Sequence, residues 1–169
     1  MFNFFKKKAQ LKPDTATTTQ YGMAPGTEIR YHPELINELM ADHKSMLTLQ
    51  EQIKTTFARQ DYASVTVKLT DFQGYLHDHL LKENVRLYAY LEACFLNDHA
   101  KHELIRRFRR EMDGIAKTAL NFLKKYSTMA GNPALNATFT KDFDDVWQLF
   151  ETRLQREELI LYPLYMPPP

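Results

Sequence analysis

Glycine is scarce in this chain: 5 in 169 residues. No run alternates Val, Ile or Thr with polar residues, so a sheet-based fold has no foothold. Cysteine is nearly absent. Cys94 stands alone, which excludes an intramolecular disulfide and a cysteine-based zinc site. A lone thiol fits a reducing compartment, and a cytoplasmic location is expected. Neither sign of charge prevails, with 22 basic against 21 acidic residues, so no broad nucleic-acid footprint is expected. No apolar run approaches the ~20 residues that span a bilayer, so stable membrane insertion is not expected. The start, Met1 to Phe5 followed by Lys6, Lys7 and Lys8, is a poor secretory signal. Its apolar stretch is short, and the charge follows it instead of preceding it. No nucleophile motif or cofactor loop stands out, so an enzyme is not expected.

What remains is rich in Leu, Glu, Lys and Gln, the residues that favour helices. Residues 1–30 read as a flexible tail and linker, broken by Thr15, Thr17, Thr18, Thr19, Pro25 and Gly26. Four segments with helical apolar spacing follow, from about Pro33 to Ala58, Asp61 to Phe95, Lys101 to Ser127 and Thr138 to Pro163. The first stripe joins Ile36, Leu39, His43, Leu47 and Phe57, flanked by Met40 and Met46. The third runs from Ile105 through Phe108, Met112, Ile115, Ala116, Ala119 and Leu123 to Tyr126. The fourth joins Phe143, Val146, Trp147, Phe150, Leu154, Glu157 and Leu161. Asp61 suits a helix N-cap. Short connections make neighbours antiparallel. The expectation is an all-α, up-down-up-down four-helix bundle over residues 31–165, with a proline-rich tail at 166–169 and no internal repeat.

Polar residues interrupt the stripes at particular places. His79 and Glu83 share one helix face with Phe72, Leu76, Leu87 and Tyr90. His43 lies near the centre of the first stripe and Glu157 near the centre of the fourth, with Glu158 towards its edge. Nothing titratable is central on the third. An inward imidazole or carboxylate is costly to bury without a partner. His and Glu from facing helices are the donors from which bundle-core metal sites are built. Two of each suit Fe(II), Mn(II) or Zn(II) and do not choose among them. A rival stands beside this reading. Arg153, one turn before Glu157 at the stripe edge, could reach Glu83 or Glu157 and supply the positive charge of an ion. His32, His77, His99 and His102 read as surface residues, with His77 the best placed to act behind a ligand.

The pattern resembles hemerythrin and the wider hemerythrin-like, or HHE cation-binding, domains over roughly residues 31–165. Tyr31 to Ile36 and Asp42-His43 are similar to that family's first helix. His79-Leu-Leu-Lys-Glu83 is similar to its second-helix His-x-x-x-Glu, and Arg156 to Leu164 to its acidic, Tyr-Pro-ended fourth helix. The resemblance implies a bundle holding a non-haem di-iron centre that binds or senses oxygen, nitric oxide or iron. It also exposes departures. Met112 and Ala116 stand where the third helix usually supplies histidines, and Arg153 stands where the fourth usually carries one. The losses fall on one side. The family pattern therefore implies a single-metal half-site of His43, His79, Glu83 and Glu157, holding one iron (or Mn or Zn) ion, or else no ion and an Arg153 network. A small diatomic ligand enters only if metal is bound. A looser similarity, from Leu69 to His79 and from Phe150 to Leu161, is to the regulator-of-sigma-D family, helical bundles that bind a protein partner without metal. On that alternative the tail Met1 to Lys8 and the run Arg106 to Arg110 are the contact elements, although such a run more often forms a solvated face.

Overall fold

Residues 22–168 are described by the computed structural model. The Phe/Lys segment Met1 to Lys8 lies outside them, as does most of the expected tail. Four rods form from five α-helices. α1 spans Leu35–Ala58 and α2 spans Tyr62–Lys82. α2 runs on through a π-helical stretch, Glu83–Tyr88, into α3, Ala89–Cys94. α4 spans His99–Tyr126 and α5 Asn136–Arg156. α5 continues through a second π-helical stretch, Glu157–Leu161, and ends in a 3-10 turn, Tyr162–Leu164.

Local chemistry starts and stops the rods. The Asp61 carboxylate accepts the Ser64 amide at 3.1 Å, and that of Asp98 accepts the Lys101 amide at 3.1 Å. Each thereby satisfies an amide that has no partner within its helix. α1 stops at Gln60, whose φ of 60° is left-handed, the conformation that usually closes a helix with glycine. Cross-rod contacts give the directions. Gln52 accepts from Lys68 and Asp42 accepts from Lys82, so α2 descends as α1 ascends. Asp142 accepts from Lys125 and Glu111 from Arg156, so α5 reverses α4 in the same way. Residues 22–30, expected within the linker, close a turn. Met23 and Arg30 bridge there, and Ala24 is buried in the apolar cluster that also holds Leu35 and Tyr165.

The stripes are largely those read from the sequence. Every expected apolar position of the fourth rod from Phe143 to Leu161 is buried. On α1 the stripe is rotated: Met46 is buried and Leu47 is half-exposed, because the inward line runs Leu35, Leu39, His43, Met46, Gln50, Ile53.

The apolar interior is in two pieces. One packs Met46, Ile53, Leu69, Leu76, Phe143, Trp147 and Leu154. The other packs Leu39, Leu87, Tyr88, Phe108, Leu161 and Tyr162. On three rods the sequence between the pieces is polar. His43 lies between Leu39 and Met46, His79 and Glu83 between Leu76 and Leu87, and Glu157 between Leu154 and Leu161. A buried polar layer crosses the bundle there.

Candidate metal centre

His43, His79, Glu83 and Glu157 are all sealed from solvent, none more than 2% exposed. The His43 and His79 rings lie 4.9 Å apart between centroids. His43 Nε2 is 3.4 Å from Glu157 Oε2, and His79 Nε2 is 3.8 Å from Glu83 Oε2. One donor atom each from His43, His79 and Glu157 fall within 4.8 Å of one another. Glu83 stands at the margin of this trio, beside His79 and held by Tyr162.

The outer nitrogens fix the inner ones. His43 Nδ1 meets Glu158 Oε1 at 2.8 Å, and His79 Nδ1 meets Asp42 Oδ2 at 3.4 Å. An ionised carboxylate only accepts. Each outer nitrogen therefore carries a proton, and a ring in its neutral form turns its Nε2 lone pair inward. This carboxylate–imidazole relay is the usual backing of a metal-bound histidine. Lys82 holds Asp42 in place at 2.7 Å. His77 is a surface residue, as its position off the stripe implies, and it meets Asp78 and stands behind neither ring. Asp42 was not singled out. Its signal was its position immediately before His43.

Two buried carboxylate oxygens, Glu83 Oε2 and Glu157 Oε2, have no hydrogen-bond partner. Such atoms are rare in folded proteins and call for an ion, a water or strain. Two unpartnered oxygens and two inward imidazole lone pairs suit a divalent cation of the Fe(II), Mn(II) or Zn(II) type. Electrostatics separates the two acids. Burial, reinforced by the charge of Glu157, pushes the Glu83 carboxyl well above the carboxylate range. Burial acts on Glu157 too, but His43 and the Arg153 guanidinium outweigh it and hold Glu157 below the usual value. Burial depresses the His79 imidazole. It works the same way on His43, where Glu157 and Glu158 overcome it and raise the ring above 6.5.

Arg153 is not at an edge, as its stripe position implied, but fully buried. Its Nε donates to Glu157 Oε1 at 2.5 Å and its Nη2 to the Tyr88 hydroxyl at 2.6 Å. The guanidinium lies 4.5 Å from the Phe108 ring centroid, and its Nη1 is 3.6 Å from Glu111 Oε2. Arg153 thus occupies the side of the layer that faces α4, where Met112 offers no hard donor.

A repeat becomes visible here that the sequence reading passed over. His79-Leu-x-x-Glu83-x-x-x-Leu87-Tyr88 corresponds to Arg153-Leu-x-x-Glu157-x-x-x-Leu161-Tyr162. Each glutamate opens a π-helical stretch. Such stretches are rare and gather at functional sites. The tyrosines cross over: Tyr88 meets Arg153, and Tyr162 meets His43 Nε2 at 3.0 Å and Glu83 Oε1 at 3.3 Å. The two halves share a plan, and the exchange of His for Arg makes one of them self-neutralised.

The basic run on α4 is largely occupied within the chain. Arg109 reaches Glu92 at 3.3 Å and Arg110 reaches Glu103 at 2.7 Å. Among the described residues no helix is long and apolar enough to cross a membrane.

A helical bundle with a buried imidazole–carboxylate layer is the architecture of a metal-binding domain. The family model of the hemerythrin HHE cation binding domain matches residues 34–165, and the chain belongs to that family. No curated protein and no solved structure gives a match.

Proposed function

We propose that the chain is a cytoplasmic, non-enzymatic sensory domain that binds a single non-haem iron ion through His43, His79, Glu83 and Glu157. The observation that carries this is the pair of inward Nε2 lone pairs facing two buried carboxylate oxygens without partners. Family membership supports a cation. Arg153 supports a count of one, because its guanidinium already engages Glu157 and Tyr88 on the other side of the layer. Four protein donors leave iron coordination positions for a small ligand such as oxygen or nitric oxide. In this reading the signal is ion or ligand occupancy, passed on to a protein partner.

Titration of metal-free protein with Fe(II), Mn(II) and Zn(II) tests it. The expected result is one ion per chain, lost in the His43→Ala/His79→Ala double variant. Two ions per chain, or equal binding by the double variant, overturns the reading. One observation favours a second reading, a metal-free bundle that works through protein contacts alone. Arg153 already neutralises Glu157. No binding by the unaltered chain would select that reading.

A further inference from the structure

We infer that Tyr162 is a fifth protein ligand, its phenolate oxygen binding the ion when the site holds ferric iron. The inference rests on the proposed site and goes beyond its four donors. The Tyr162 hydroxyl lies 3.0 Å from His43 Nε2 and 3.3 Å from Glu83 Oε1. It therefore sits on the lone pair that a metal would use. A zinc ion on that nitrogen would lie about 2.0–2.1 Å away, nearer than the hydroxyl. The hydroxyl must then either swing out of the layer or shift within it and bind.

Leaving is obstructed. Tyr162 is 4% exposed and packs among Leu87, Tyr88, Leu161 and Tyr165. Its ring stacks on His43 at 5.6 Å with an interplanar angle of 23°. Its backbone is held in the closing 3-10 turn, where its carbonyl accepts from the Tyr165 amide at 3.0 Å and Pro163 stiffens the next step. Moving the ring would open the second apolar cluster.

Binding is chemically matched to one oxidation state. A phenolate is a hard anionic oxygen donor and suits a trivalent ion. With a divalent ion the phenol keeps its proton. On a ferric ion the Tyr162 oxygen would bind as a phenolate, its O–H proton released to solvent water and its lone pair given to the iron. The extra negative charge balances the extra positive one, so the net charge of the buried layer is the same in both forms. A bound cation reverses the local preference for neutral groups in this way. Tyr88 is the built-in control, because its hydroxyl accepts from Arg153 in the other half.

The full chain is loaded with Fe(III) as its nitrilotriacetate complex, and separately with Zn(II). The expected result is a broad visible phenolate-to-iron charge-transfer band with tyrosinate ring modes in the resonance Raman spectrum. Both are lost in Tyr162→Phe and kept in Tyr88→Phe. Ferric affinity falls about tenfold or more in Tyr162→Phe, the scale of losing a supporting contact at a metal site. Zinc affinity stays within about threefold. Ferric binding by the unaltered chain without the band, or a band that persists in Tyr162→Phe, overturns the inference and leaves the four-donor site standing. The unaltered protein alone decides the first point, whatever the variant's stability. Failure to bind either metal removes both.

Discussion

Glu158 shows how much a single exposed side chain can set. Its carboxylate is 37% exposed, yet it grips the outer nitrogen of a fully buried ring. With Glu157 it raises the His43 imidazole above 6.5. Protonated imidazole cannot bind a metal, so protons compete for the site at a higher pH than for an ordinary histidine. Metal affinity should therefore begin to fall above pH 6.5 as the solution is acidified. Glu158→Gln removes one of the two carboxylates and should move the midpoint of that loss to lower pH. Calorimetric titrations across pH 5.5–8 check it, and an unmoved midpoint would assign the raised ring to Glu157 alone. The same residue scale separates the two glutamates on the layer. Glu157 is paired and charged, whereas Glu83 is held by a hydroxyl and pushed towards its neutral form.

At the scale of elements, the turn between α1 and α2 depends on Gln60 in a left-handed conformation. A side chain with a Cβ pays for that conformation, and glycine does not. Gln60→Gly relieves about 1–2 kcal/mol against an entropy cost of about 0.5–1 kcal/mol, a net gain read as a higher urea midpoint with an unchanged slope. The rods themselves were legible because apolar spacing and capping chemistry are local. Asp61 caps as its position implied, and the stripe from Phe143 to Leu161 is buried throughout. The two π-helical stretches were not legible. A one-residue change of pitch leaves the average helical period almost intact, so nothing between Glu83 and Tyr88 announces it. On α1 the apolar stripe is broad enough to admit either Met46 or Leu47, and only the packed partner decides. Asp42, Tyr88 and Tyr162 carry no legible role in the sequence for a different reason. Their roles are given by contacts across rods: Tyr162 reaches Glu83, 79 residues away. His43, His79, Glu83 and Glu157 were legible because a polar residue on an apolar stripe is conspicuous before any fold is known.

For the whole molecule, the polar layer is a cost that something must offset. In the absence of metal, Arg153 offsets the charge of Glu157 from inside the bundle. Removing one partner of a buried pair strands the other, at about 3–5 kcal/mol. Arg153→Met should cost the metal-free chain that much in denaturant unfolding. With Fe(II) present the deficit should shrink, because the ion supplies positive charge to the same carboxylate and stabilises by mass action. An equal deficit with and without iron would show that the ion does not reach Glu157.

The division of the apolar interior has a mechanical consequence. Two hydrophobic lobes share the same four rods, and on three of them they meet through a seam of imidazole, guanidinium and carboxylate. Whatever tightens the seam must tighten the grip of each lobe on the other. On the proposed reading, an ion in the seam and the packing of the two lobes are coupled in both directions. Occupancy of one atom's worth of space would then be read along the full length of the rods.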